Sequence, residues 1–280
     1  MSADQGSGEG GDGAPAGRAP LDAAELARSL VVAGGFWRSV SVTGATGSTN
    51  ADLLAQAAGG APEGTVLVAN AQSAGRGRMG RSWVSPPGAA LMFSVLLRPV
   101  SVSPGKRGWV PLLAGAAVAS AVHSVAGLDA RLKWPNDVLI GEAKLAGILT
   151  EQSADAIVTG IGINVSTQRA ELPVETATSL AVAGAASLDR HELLRAVLTE
   201  IERRYLTWSA PPGPGDPDAS GLRPEYRRLS ATLGREVRIE FPGGGAAHGT
   251  AADIDPDGRL LVRTPSGPLA VSAGDILHLR

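Results

Sequence analysis

Beyond residue 20 the apolar positions switch repeatedly between a three-to-four-residue spacing and short continuous runs, the pattern of a chain that interleaves helices with buried strands. Residues 21–33 read as a helix. Residues 50–58 read as a shorter one, with Ser48, Thr49 or Asn50 as its cap and Gly59-Gly60 as its stop. Residues 65–71 and 90–97 are apolar runs of strand length, rich in valine and leucine, of the kind buried on both faces. Residues 130–152 predict a strand, a turn and a second strand, and 155–165 a further one. The apolar stretch 110–122, with Pro111 in its first turn and Gly127 near its end, predicts a buried helix and is too short to span a bilayer. The clearest helical period runs over 189–208, where Leu193, Leu194, Val197, Leu198, Ile201 and Tyr205 recur, with Asp189 and Glu192 as a capping box.

Prolines 211, 212, 214 and 217, interleaved with glycines, then exclude both helix and central strand, so 211–221 predicts a linker between a domain over 21–210 and a second over 222–280. After a short helix at 224–233, Val237, Ile239 and Phe241 alternate, and turn sequences at 255–258 and 265–267 predict a small all-β barrel. The expected class is therefore α+β. Residues 1–20 hold six glycines and almost no large apolar side chain, which predicts a disordered tail without the apolar core of a signal peptide.

Composition narrows the chemistry. A net charge of −2 leaves no general basic field for non-specific nucleic-acid binding, so any anion site must be local. The absence of cysteine excludes disulfides, thiolate catalysis and Cys-ligated zinc, and His123, His191, His248 and His278 are too scattered for a histidine metal cluster. The chain is expected to be soluble and cytoplasmic, with no membrane association.

Gly75-Arg76-Gly77-Arg78-Met79-Gly80 fits the G-x-G-x-x-G dinucleotide pattern and follows a predicted strand. That reading requires a helix after the glycines, whose N-terminal N–H groups hold pyrophosphate. Pro86-Pro87 forbid one of useful length. No G-x-x-x-x-G-K-[ST] occurs, so a P-loop nucleotidase is excluded as well. What remains is a flexible loop with Arg76, Arg78 and Arg81, either a solvated surface loop or a clamp whose guanidinium forks suit carboxylate and phosphate oxygens.

Taken together, Ser48-Thr49-Asn50, the run from Gln72 to Arg81, Lys133-Trp134-Pro135-Asn136-Asp137, the run from Lys144 to Leu149, and Gly160-Ile161-Gly162-Ile163-Asn164-Val165 resemble, in order and spacing, the biotin protein ligases. The resemblance covers about 35–208, and the C-terminal β domain is also similar. It implies a mixed sheet related to class II aminoacyl-tRNA synthetases and lipoate ligases, followed by an SH3-like barrel. It implies a two-step activity: biotin and MgATP give biotinyl-5′-AMP and pyrophosphate, and a lysine of a biotin carboxyl carrier domain of an acyl-CoA carboxylase is then biotinylated; the alternatives are a lipoate-type protein ligase of related fold and a non-catalytic module that binds biotin or biotinyl-adenylate.

By that resemblance Lys144 bridges the biotin carboxylate and the α-phosphate, and as a strand residue it is expected to share a face with Ala146, with Gly147 leaving room beside it. Asp137 either orients Lys144 or forms a turn. The biotin-binding set is Ser48, Thr49, Asn50, Gln72, Gly75, Arg76, Gly77, Arg78, Lys144 and Gly147. The ATP-binding set is Arg78, Arg81, Trp83, Lys133, Asn136, Lys144 and Asn164. Trp83 either stacks on adenine or packs in the core, and Ser48 or Thr49 either meets the ureido ring or serves as a cap. In the family the loop orders over bound ligand. Biotin, ATP and magnesium are the implied small molecules, with no protein ligand assigned to the metal. The resemblance is to the monofunctional form without a DNA-binding domain, so no specific DNA binding is expected, and a homodimer is compatible with it.

Overall fold

The computed structural model describes residues 18–279. A seven-stranded mixed sheet in the order β1-β2-β3-β7-β6-β5-β4 is followed by a five-stranded antiparallel sheet in the order β11-β10-β9-β8-β12. The strands of the first are β1 (Ser39–Thr43), β2 (Thr65–Ala69), β3 (Ala90–Leu97), β4 (Ala130–Lys133), β5 (Asp137–Ile140), β6 (Ala143–Ser153) and β7 (Ala156–Asn164). Only β1 and β2 pair in parallel. Residues 130–152 form three strands rather than two, because Trp134 to Asn136 make an additional tight turn.

The interior strand β3 shows how the layers arise. Leu91, Phe93, Val95 and Leu97 point to one face and join the main core, whereas Leu96 joins a smaller cluster with Leu53, Ala57, Ala156 and Val158 on the other. The main-core face is covered by α1 (Ala23–Leu30), α3 (Trp109–Ala121) and α4 (Arg190–Ser209), and the opposite face carries only α2 (Thr49–Ala58). The uncovered half of that second face is where the cavity described below opens.

Helix α3 is buried almost all round, as its uniformly apolar sequence requires. A π turn extends it to Ala126, where Gly127 at φ 69° ends it. The helical stretch Pro104–Ala126 is thus 23 residues, long and apolar enough by length to cross a membrane and longer than the run of 110–122 suggested; 72% of its most apolar window is buried inside the fold. Helix α4 begins at Asp189, whose carboxylate accepts from the N–H groups of His191 and Glu192. The expected reciprocal box is absent: the Glu192 carboxylate accepts from the Ser187 hydroxyl, and the Asp189 N–H donates to Ser187 as well. In α4 the buried Arg204 donates to Glu225 of α5 (Leu222–Leu229) and to Ser120 of α3, tying three helices through one guanidinium.

The expected disordered segment 1–20 lies largely outside the described residues. Its last three belong to the fold, however: Arg18 pairs with Glu171 and donates to the Ser166 carbonyl, and the Ala19 carbonyl accepts from Arg190. The proline-rich stretch 211–221 consists of turns, as expected. Helix α5 starts two residues before the predicted 224 and packs on α3 and β4, while also touching β9, so it bridges the two sheets.

The second sheet consists of β8 (Glu236–Glu240), β9 (Ala246–Ile254), β10 (Leu260–Thr264), β11 (Gly267–Val271) and β12 (Asp275–His278), an SH3-like arrangement whose buried Val237, Ile239, Ala251, Ile254, Leu260 and Val262 are continuous with the main core. Its 255–258 turn is held by Asp255, which accepts from the N–H groups of Asp257 and Arg259. That turn seats on the first domain: Trp109 donates to the Pro256 carbonyl at 3.0 Å and Trp134 to the Gly258 carbonyl at 3.1 Å. Trp134 therefore anchors the second domain to the Lys133–Asp137 turn.

Candidate active site

A cavity of about 590 Å³ opens on the α2 side of the first sheet. Its floor is made by glycines. A Cβ at Gly160 would lie 2.2 Å from the Asn50 side chain, and one at Gly162 would lie 2.5 Å from the Trp83 ring, so neither position accepts a side chain without displacing its neighbour. Gly147 is tight but less so, since a Cβ there would lie 3.2 Å from the Trp83 ring and 3.3 Å from the mobile end of Lys144.

The wall near β5 and β6 carries the cations. A register shift between Val138 and Leu139 inserts one extra residue into β6, so that Leu139 pairs with Lys144 and Asp137 with Gly147. Lys144 consequently shares a face with Gly147 and Asp137; the expected partner Ala146 pairs with Val138 and is buried on the opposite face. Strict alternation would have turned Lys144 away from Gly147, and the bulge corrects that. The Lys144 ammonium stands 2.6 Å from Asp137 Oδ1, at an angle that leaves this buried oxygen without an aligned hydrogen bond. The main chain of Lys144 is pinned to a segment across the cavity mouth, donating to the Thr176 carbonyl and accepting from the Thr178 N–H. Lys133 also lines the cavity, and it has no carboxylate within ion-pair distance among the described residues. Burial lowers the pKa of Lys133, an effect that Asp137 opposes and Lys144 reinforces.

The arginine loop is a folded hairpin. Gly77 donates to the Arg81 carbonyl at 2.6 Å and Trp83 to the Gly75 carbonyl at 2.9 Å, with Met79 and Gly80 at positive φ in the tip. The guanidiniums, which repel one another, each have a separate partner: Arg76 meets Glu151, Arg78 donates to Asn136 Oδ1, and Arg81 pairs with Asp275 of the second domain. Burial lowers the Arg78 pKa, with Asp275 and Asp137 opposing. Gly75 does not line the cavity. A Cβ there would lie 2.5 Å from the Trp83 carbonyl, so a glycine is what lets the hairpin close at this position.

The far end is neutral and polar. Ser48 caps α2, accepting from the Ala51 N–H at 3.5 Å, and Thr49 donates its N–H to Gln72 Oε1 at 2.7 Å. Asn50 lines the cavity, yet its amide is fully engaged: it donates to the Leu149 carbonyl and to Glu151, and its oxygen lies 2.6 Å from Ser94 Oγ. Asn50 therefore supports the wall through its side chain. Asn136 and Asn164 also line the cavity, donating to the carbonyls of Ile148 and Thr178 respectively. Trp83 covers the glycine floor, and its buried indole N–H has no partner.

Of the residues singled out from sequence, all but Gly75 line one cavity. Ser94, Glu151 and Asp275 were missed. No local pattern marks them, since each acquires its role only through strand pairing or docking of the second domain.

The comparisons agree with this geometry. The Biotin/lipoate A/B protein ligase family matches residues 46–168, and the Biotin protein ligase C terminal domain matches 232–279. The fold and cavity thus define a biotin/lipoate-type protein ligase domain joined to the C-terminal module of the biotin enzymes. A biotin--[acetyl-CoA-carboxylase] ligase of Mycobacterium tuberculosis is 44% identical over 94% of this chain and 97% of its own length, and one of Paracoccus denitrificans is 33% identical over 82% and 97%. The structure of a biotin protein ligase from Aquifex aeolicus in complex with biotin and ATP superposes with a TM-score of 0.73 at 30% identity, covering 87% of this chain and all of that one. This chain belongs to the biotin protein ligase family.

Proposed function

We propose that the protein is an ATP-dependent biotin protein ligase, which activates biotin as biotinyl-5′-AMP and transfers it to a lysine of the biotin carboxyl carrier domain of an acyl-CoA carboxylase in the cytoplasm. The observation that carries this reading is the division of one cavity into a neutral polar end, at Thr49 and Gln72, and a cationic end, at Lys144, Lys133 and Arg78. Biotin has a matching division between an uncharged ureido ring and a carboxylate.

In the first step a biotin carboxylate oxygen attacks the α-phosphorus of ATP while the bond to pyrophosphate breaks. Two anions must meet, and charge grows on the leaving group, so fixed cations supply the main stabilisation. In this reading Lys144 bridges carboxylate and α-phosphate, a role supported by the 2.6 Å contact through which Asp137 holds its ammonium in the cavity. Arg78 meets the same centre from the loop, after exchanging Asn136 for the ligand. Lys133 and Arg81 face the remaining phosphates, and Trp83 offers its ring to adenine. In the second step the acceptor amine attacks the acyl carbon and AMP leaves. The closed hairpin excludes water from the anhydride until then.

Magnesium would arrive with ATP. The carboxylates beside the cations, Asp137, Glu142 and Asp275, are already paired with Lys144, Arg235 and Arg81, the Asn136 and Asn164 amides are the other donors, and no group of three or more His, Asp or Glu converges among the described residues. Such a set fits an ion held mainly by phosphate oxygens and water.

Exchange of labelled pyrophosphate into ATP tests the activation step. Exchange dependent on biotin is expected; exchange with lipoate in its place, or none, would overturn the assignment.

A further inference from the structure

One polar chain runs beneath the neutral end of the cavity and is used by none of the steps above. Ser94, fully buried on β3, has its hydroxyl 2.7 Å from Thr49 Oγ1 and 2.6 Å from Asn50 Oδ1. Asn50 donates at 2.8 Å to Glu151 Oε2, and Arg76 donates to the same oxygen at 3.1 Å. Ligand loop, β6, α2 and β3 are thereby joined through a single carboxylate.

The protons of this chain can be assigned by elimination. Asn50 directs both its N–H groups at acceptors, Leu149 O and Glu151, so its oxygen is the end near Ser94. An amide oxygen carries no proton, so Ser94 donates its only one to Asn50. The Thr49 hydroxyl, 2.7 Å from Ser94 Oγ, donates its own proton to Gln72 Oε1 at 3.1 Å. The Ser94 and Asn50 donors run toward Glu151, and the Thr49 hydroxyl is fixed between Ser94 and Gln72. A carboxylate at the end of such a chain polarises every bond in it.

We propose that Glu151 is a positioning residue with two outputs, fixing the Thr49 and Gln72 side chains at the biotin ureido end through Asn50 and Ser94, and holding Arg76 at that end. The second output follows from reach. Glu151 lies four residues beyond Gly147 on an extended strand, about 13 Å away. Arg76 is thus kept apart from the reacting anions, which are left to Arg78 and Lys144. Three guanidiniums on one short hairpin would otherwise compete for the same charge. The proposal rests on the biotin ligase reading, and it concerns biotin recognition alone.

The test is steady-state pyrophosphate exchange with Glu151→Gln, Ser94→Ala and the double variant, varying biotin and ATP separately. Glu151→Gln keeps an acceptor for Asn50 and removes the charge; Ser94→Ala cuts the chain in its middle. Each should raise the KM for biotin about five- to tenfold, the size of one hydrogen bond, and leave the KM for ATP within about twofold. Acting through one chain, the two changes should combine to less than the product of the single effects. An unchanged biotin KM, a parallel rise in both KM values, or a fully multiplicative double variant would overturn the proposal. Should Ser94→Ala lower the melting temperature too far to assay, the biotin-against-ATP split in Glu151→Gln alone decides. Wild-type exchange with biotin keeps the family reading independent: if it is present and Glu151→Gln behaves as wild type, only the positioning role fails.

Discussion

Replacing Lys144 by alanine tests the electrostatic account of activation most directly. The ammonium sits 2.6 Å from Asp137 Oδ1, on a strand face it shares with Gly147, and no other cation pairs with that carboxylate. A unit charge about 4 Å from a developing anion contributes on the order of 4 kcal/mol at the effective dielectric of a partly buried site. Mutational losses of a single preorganised donor run at about 3 to 4 kcal/mol, so biotin-dependent pyrophosphate exchange should fall about 10²- to 10³-fold. Folding should be little affected. The Lys144 and Asp137 side chains are 36% and 21% exposed, which reduces the stabilising value of the pair to about 1 kcal/mol or less. The main-chain bonds to Thr176 and Thr178 survive in alanine. Asp137→Asn retains the ammonium but loosens its position, and a smaller loss, about tenfold, is expected. If Lys144→Ala exchanged pyrophosphate within tenfold of wild type while melting normally, the charge placed between carboxylate and α-phosphate would not be the source of catalysis.

Arg78→Ala should leave the adenylate poorly held, seen as faster release of biotinyl-5′-AMP in a filtration assay and as labelling of bystander lysines; retention equal to wild type would contradict the loop's closing role. Gly160→Ala places a Cβ 2.2 Å from a buried Asn50 oxygen that cannot move without breaking its bonds, so a loss of about 1–3 kcal/mol is expected in a urea titration. His278 is pushed down to about 4 by burial, with the charges of Lys133 and Arg235 adding to it. Its unfolded counterpart titrates near 6.5, so the unfolded state binds more protons between those values; stability from this group is full above pH 6.5 and drains as pH falls toward 4. His278→Gln should flatten that slope in urea midpoints measured from pH 7 to pH 4.5, and an unchanged slope would reject the assignment.

Much of the site was legible in sequence because its chemistry is concentrated in short runs. Gly75 to Arg81, Lys133 to Asp137 and Lys144 to Gly147 carry glycines and cations at spacings that a solvated surface has no reason to maintain, and these runs do converge on one cavity. The continuous apolar runs likewise marked β3 and α3, since a segment buried on every side has no polar position to interrupt it. Pairing and docking were not legible. A one-residue bulge decided that Lys144 faces Gly147 instead of Ala146, and a bulge leaves no mark in a single strand because it is a relation between two. Ser94, Glu151 and Asp275 look like ordinary polar residues until β3, β6 and the second domain bring them to Asn50, Arg76 and Arg81. Residue type and spacing set which groups could do the chemistry, because those properties are local; which of them meet, and in what proton order, was decided by the tertiary structure, because hydrogen bonds and ion pairs depend on distances that only the packed sheet defines.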